Sequence, residues 1–317
     1  MKADWKLQNA SSYFACIRKN PKQRVCRNIL LVLLLFFCFT FLAEILQVIT
    51  ASCILLGLQI AGIPSTSIIE NVDARLILSL YLTSICIAIS LVFCLSFEKR
   101  SVGTMFLTRR KLIPDYLIGA LLGFAMMGAV VLIAWFGGAI RFEGIRTVQH
   151  PILMILLFIG WMIQGFSEEL SFRGWLMTSI GTHHSVWAAV AISAVSFAVM
   201  HCGNDGFSIF AVINLVLFGI VTALYVLRTG SIWGAAAMHS IWNWAQGNFF
   251  GMQVSGIPTG STVLQFSQSG KSEWIGGGTF GLEAGCATTI VLLIVAVILL
   301  MSRRQTFNKE DEANETI

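Results

Sequence analysis

The chain is polar and basic for its first 28 residues, and then long apolar runs alternate with short polar ones. Crossing the hydrocarbon core takes roughly 20 apolar residues. Eight segments approach that length, at about 29–60, 76–97, 116–140, 151–180, 186–203, 207–227, 231–250 and 282–302. The first and fourth exceed one simple span and are expected to tilt, break or extend past the bilayer. The pattern predicts an all-α fold, a polytopic transmembrane bundle of about eight helices spanning 29–302. Residues 1–28 form a basic cytoplasmic segment in this reading, and 303–317 a disordered cytoplasmic tail. The polar stretch Gly251–Gly281, rich in Gly, Ser and Gln, is expected to lie outside the packed bundle as a solvated connection or a mobile cap.

Composition agrees with the pattern. Of 317 residues, 56% are hydrophobic and 12% charged, against about 25% charged in ordinary globular domains. The polar start is too long for the n-region of a cleavable signal peptide, so the first apolar run is expected to stay as an anchor. The cysteines lie mainly in or beside apolar runs with no CxxC pair, which reads as free thiols rather than a disulfide or zinc framework.

Charge adds an orientation. An even number of spans puts both termini on one side. Lys2, Lys6, Arg18, Lys19, Lys22, Arg24 and Arg27 precede the first span, and Lys99, Arg100, Arg109, Arg110 and Lys111 join the second to the third. With Arg173, Arg228, Arg303, Arg304 and Lys309, that side holds 17 of the 21 Lys and Arg, and the other only Arg75, Arg141, Arg146 and Lys271. The positive-inside rule makes the basic side cytoplasmic. The net charge of +5 is then a topology signal with affinity for anionic lipid, not a nucleic-acid footprint.

Against this background, polar residues inside the spans stand out, because intramembrane ionisable groups are functional candidates by default. Glu168 and Glu169 sit together in SEELSFRG. Adjacent helical residues point about 100° apart, so the two face different surroundings. Glu169 has Arg173 four residues on, the favourable acid-before-base spacing, which leaves Glu168 free for chemistry. FAVMH ends on His201, and HSIWN places His239 and Asn243 on one helical face. At about 1.5 Å rise per residue, Glu168 lies ~20 Å, His201 ~24 Å, His239 ~15 Å and Asn243 ~21 Å from the cytoplasmic ends of their helices. Four polar groups from three helices thus share one layer, and lipid satisfies none of them.

A carboxylate, two imidazoles and an amide around water suit hydrolysis. Glu168 is the candidate general base. His201 holds the water and relays the proton, and His239 with Asn243 donates to the oxyanion. An alternative use of Glu168, His201 and His239 is as three ligands to Zn²⁺ with water in the fourth position, and Glu169 is then the candidate base. The bland reading is a polar knot that holds helices together. His183 and His184 read as surface residues at a connecting turn.

The three stretches EELSFRG, FAVMH and HSIWN match, in order, the EExxxR, FxxxH and HxxxN/D signatures of the CPBP (Abi) family of intramembrane proteases. That family includes the type II CAAX prenyl endopeptidases and bacteriocin-processing and self-immunity proteins. The resemblance covers roughly 150–250. It implies a helical-bundle protease core there, with a site open towards the cytoplasm through a cleft between helices. Carried over, the catalytic set is Glu168, Glu169, His201, His239 and Asn243, with Arg173 and Phe197 supporting. The family is often grouped with metalloproteases, so a divalent metal such as zinc at Glu168, His201 and His239 stays open beside a glutamate-only site. GGGTFGLEAG, near Glu283, resembles a Gly-rich segment of some bacterial members.

The expected function is an endopeptidase acting on a membrane-associated or lipidated protein or peptide, in the plasma membrane of a bacterium. Its partners are that substrate and the lipid bilayer, with no nucleic acid. The competing reading is a non-catalytic membrane regulatory or immunity protein using the same polar layer structurally. A proton-coupled transporter is less favoured, because no internal repeat is present.

Overall fold

The structure, a computed structural model, describes residues 8–20, 22–109, 112–147 and 150–302. The expected disordered tail at 303–317 lies outside the described residues. Each apolar run forms a helix. In chain order these are α1 (Gln8–Lys19), α2 (Ile29–Ile60), α3 (Val72–Phe97), α4 (Leu112–Phe136), α5 (Pro151–His183), α6 (Val186–Met200), α7 (Ile209–Thr229), α8 (Trp233–Trp244) and α9 (Cys286–Met301). Five of them, α2, α3, α4, α5 and α7, are long and apolar enough to cross a membrane. The protein is an integral membrane helical bundle. Large apolar side chains such as Leu30, Phe41, Leu121 and Phe136 face outward, as lipid requires.

Local chemistry fixes where helices begin and end. Asn28 Oδ1 accepts from the amides of Leu30 and Leu31, Ser185 Oγ from Ala188 and Ser208 Oγ from Ala211; each pairs N–H groups a helix start leaves unmet. Pro151 opens α5 at its first turn, where its missing N–H costs nothing. Gly230 closes α7 in the left-handed region at φ 70°.

The short helix α8 is the axis of the bundle, with every residue from Gly234 to Asn243 buried. It is enclosed because α4 comes unusually close. A Cβ on Gly119 would strike the carbonyl of Gly234, and one on Gly123 the carbonyl of Met238. This small-xxx-small spacing lets helix backbones touch, which is how helices pack where lipid supplies no hydrophobic drive. Asp115 of α4 then accepts from the Gly234 amide at 2.9 Å and the Tyr225 hydroxyl at 2.8 Å. A carboxylate therefore caps the start of α8, where the helix dipole favours it.

Two features differ from the sequence expectation. Residues 137–140 leave the third run and begin a strand, β1 (Ile140–Ile145), which pairs antiparallel with β2 (Leu264–Gln268) and carries a bulge between Phe142 and Gly144. The stretch 251–281 is thus not outside the packed bundle. Met252, Val254, Phe266 and Phe280 are buried, and Asp73 of α3 accepts from the Ser261 amide at 2.9 Å. Secondly, the basic N-terminal segment contains α1, which buries Ala10, Phe14 and Ile17. The Phe14 ring fills the space a side chain on Gly181 would need.

The bundle therefore has two distinct ends. The basic end carries α1, the finish of α3, the start of α4 and the finish of α5, α7 and α9. The far end carries the β1–β2 ribbon, the start of α5, the finish of α6 and the loop before α9. All eight cysteines are free.

Candidate active site

The site begins where α5 changes its winding. Pro151–Glu169 is α-helical, and Leu170–Leu176 then forms a π segment before the α-helix resumes. Such wide turns are uncommon and recur at functional sites. EELSFRG straddles this transition, and HSIWN is followed by a second π turn at Ala245–Phe249. Sequence pattern carried no signal for either.

Glu169 is completely buried. Its Oε1 accepts from Arg173 Nη1 at 3.0 Å and lies 2.9 Å from His239 Nδ1. A carboxylate only accepts, so His239 carries its proton at Nδ1 towards Glu169. Arg173, also fully buried, places its guanidinium 4.8 Å over the ring of Phe197, a cation–π contact strengthened by desolvation. The Glu, Arg and Phe of two motifs thus make one buried unit that fixes His239 from behind.

Glu168 points the other way, as the helical offset requires. Its side chain is 26% exposed, and its Oε2 lies 3.6 Å from His239 Nε2. Its Oε1 accepts from Gln164 Nε2 at 2.7 Å, and Gln164 Oε1 accepts from Asn243 Nδ2 at 2.9 Å. Gln164 is therefore the bridge between acid and amide, a residue the sequence reading missed. Its signal was present: a carboxamide one turn before Glu168 in an otherwise apolar run. Glu168 Oε2 has no hydrogen-bond partner among the described residues.

His201 follows the last turn of α6. Its Nδ1 lies 2.8 Å from the Phe197 carbonyl. Since a carbonyl only accepts, Nδ1 carries the proton, and in the neutral ring Nε2 is left as an acceptor. Glu168, His201, His239 and Asn243 all line one cavity of about 280 Å³. Its wall also includes Gln164, Glu44 and Ser255. The structure thus brings these four sequence-derived residues together with Phe197 on the cavity wall and keeps Glu169 and Arg173 behind them.

Zinc requires Glu168, His201 and His239 to converge on one point. Among the described residues no three of His, Cys, Asp or Glu are grouped so as to hold an ion. The side chains as placed do not fit a three-ligand metal site, and no chemistry is derived through one.

Glu283, from the Gly-rich segment, acts on the cavity from its far end. Its Oε1 accepts from Trp242 Nε1 at 3.1 Å, and its Oε2 accepts from the amide and hydroxyl of Ser255, each at 2.7 Å. The Ser255 carbonyl accepts from Asn204 Nδ2 at 2.8 Å. Ser255, at φ 49°, thereby links the chain just after His201 to the helix bearing His239. His183 and His184 are partly exposed at the turn between α5 and α6; their Nε2 atoms lie 3.1 and 2.7 Å from the carbonyls of Val25 and Arg27.

Residues 150–245, which run from the residue before α5 through α8, match a family described as type II CAAX prenyl endopeptidase Rce1-like. This match agrees with the CPBP resemblance carried by the three motifs, and it covers the helices that carry Glu168, His201, His239 and Asn243 on the cavity wall. No curated protein matches the chain.

Proposed function

We propose that the protein is an intramembrane endopeptidase that uses Glu168 to activate water against a peptide bond of a membrane-associated or lipidated protein. A CAAX-protease-like endopeptidase in general is what the Rce1-like match supports; the residue roles are our reading. The observation that carries it is the split between the paired glutamates. Glu169 is buried and committed, whereas Glu168 faces a cavity with one oxygen held by Gln164 and the other unpartnered.

In this reading Glu168 Oε2 takes a proton from water held also by His201 Nε2, and the water oxygen bonds to the scissile carbonyl carbon. The carbonyl π pair moves to oxygen. Asn243 Nδ2 has two hydrogens; one is engaged by Gln164 and the second is available to the oxyanion. With both ring nitrogens protonated, His239 donates from Nε2 while Glu169 holds Nδ1. The C–N bond then breaks, and Glu168 returns its proton to the leaving amine. The core at about 150–250 does the chemistry within the bundle of 29–302, in a bacterial plasma membrane with both termini cytoplasmic.

The test is a pool of membrane-derived peptides incubated with purified protein and read by mass spectrometry. Cleavage by the native chain and none by Glu168→Gln or His239→Ala, both still folded, is the expected result. Equal cleavage by native chain and variants removes Glu168 and His239 from the chemistry, and a pool left uncut by the native chain favours a regulatory membrane protein.

A further inference from the structure

We infer that Glu44 is a specificity-determining residue: it selects peptides that carry a Lys or Arg side chain close to the bond presented to Glu168. This deepens the proposed proteolysis and rests on it for the word substrate, but the binding preference is separable from cleavage.

The first ground is a polar stripe on α2. The first half of this helix is apolar except for Thr40, Glu44 and Gln47. Their i, i+4, i+7 spacing puts them on one helical face, and all three line the cavity. Both ends of the stripe are engaged. Thr40 Oγ1 donates to the carbonyls of Phe36 and Phe37 and lies 4.0 Å from Met200 Sδ on α6. Gln47 Nε2 donates to Cys86 Sγ on α3 at 3.4 Å. Glu44, held between these two contacts, has no hydrogen bond or ion pair among the described residues.

The second ground is depth. Counted from Ile29, Glu44 lies ~22 Å along α2, in the layer of Glu168, His201 and Asn243. The Cys86 thiol is within electrostatic reach of both Glu168 and Glu44, so the two acids overlook the same part of the cavity. An acid at this depth is costly and is kept for a partner or a function.

The third ground is that the wall supplies no such partner. Among the described residues no Lys or Arg lines the cavity, and Arg173 behind it is taken by Glu169. Of the wall's other acids, Glu283 is engaged by Trp242 and Ser255, and Glu168 is held on one oxygen by Gln164. Glu44 keeps both oxygens for an incoming group. The complementary group is a cation, since a Lys or Arg brought into this layer is itself expensive unless paired, and each charge offsets the cost of the other. The surroundings also suit the rest of such a side chain. The cavity shares Thr40, Glu44 and Met200 with an apolar groove lined by Phe37 and Phe41 on α2. There the methylenes of a Lys or Arg can pack while its head meets the carboxylate.

Binding tests this apart from catalysis. A short fluorescent Leu/Ala peptide with one central Lys, its norleucine counterpart and its Glu counterpart are titrated into the full chain in detergent. The Glu168→Gln background is used so that no peptide is turned over. The Lys peptide is expected to bind at least about tenfold more tightly than the norleucine peptide, the lower end of what a close interfacial charge pair contributes. Adding Glu44→Gln should bring that ratio to about one, and adding Glu44→Lys should reverse the order in favour of the Glu peptide. Should Glu44→Lys not fold, Glu44→Gln and the peptide series decide by themselves. Among peptides cut by the native chain in the membrane-derived pool, Lys or Arg should recur at one fixed position near the scissile bond. Equal binding of the Lys and norleucine peptides, or a preference that survives Glu44→Gln, overturns the inference. The expected binding order beside a pool left uncut by the native chain leaves the selectivity of Glu44 standing and removes the protease reading. Cleavage without any basic preference does the reverse.

Discussion

His239 Nδ1 lies 2.9 Å from Glu169 Oε1, and this contact joins α5 to α8 inside the bundle. It makes the second glutamate of the motif a support for the imidazole, while the first is left to face the cavity. The two adjacent acids should therefore respond differently to the same substitution.

Glu168→Gln is expected to lower kcat by ~10²–10⁴, the usual contribution of a general base. Its melting temperature in detergent should stay close to that of the native chain, since the side chain is 26% exposed and Gln retains an acceptor for Gln164. Glu169→Gln leaves Arg173 charged, fully buried and without its ion pair. Breaking such a pair costs about 3–5 kcal/mol, so a large fall in thermal stability is expected. Thermal unfolding of both variants side by side decides it, and equal stability would show that the two carboxylates are interchangeable.

Asn243→Ala removes one oxyanion donor and is expected to lower kcat by ~10²–10³ with little change in KM. Gln164→Leu should give a smaller loss of the same kind, because it frees Glu168 Oε1 and Asn243 Nδ2 without removing either. Steady-state kinetics on one cleaved peptide separate these outcomes. A rise in KM at constant kcat would place Asn243 in substrate binding instead.

Gly123→Val drives a side chain into the backbone of Met238 on α8. Overpacking of this kind costs about 1–3 kcal/mol or more, and here no flexible side chain can give way. Gly128 lies on the same helix with open space around its Cβ position, so Gly128→Val is the control. Size-exclusion profiles and melting curves should show Gly123→Val aggregated or strongly destabilised and Gly128→Val near native. Similar behaviour of both would remove the close α4–α8 approach as the basis of the core.

Activity is expected to be indifferent to a strong zinc chelator. The ground is the donor arrangement, in which no three-ligand group of His, Cys, Asp or Glu is formed among the described residues. Loss of cleavage on chelation, restored by added zinc, would require those side chains to rearrange around an ion.

The bundle and the polar layer were legible because lipid is a strict solvent. It makes apolar run length a direct readout of helices, and it leaves Glu168, His201, His239 and Asn243 only one another and water for company. The division between Glu168 and Glu169 was legible for the same reason, through the Arg173 spacing. Gln164 was not, since a single carboxamide in a helix has no spacing rule that points across to Asn243. The π segments escaped because winding depends on packing rather than on residue type. The ordering of 251–281 also escaped. Its Gly-rich composition reads as a loop, whereas Phe266, Phe280 and the Asp73 and Glu283 carboxylates pin it from distant parts of the chain.

That pinning has a mechanical result. Trp242 sits one residue before Asn243, and its indole hangs on the carboxylate that also grips Ser255. The far-end covering and the Asn243 amide are therefore tied together through a single carboxylate. On the proposed reading, a change that trims or loosens the covering is expected to alter the cleavage step as well as the way in.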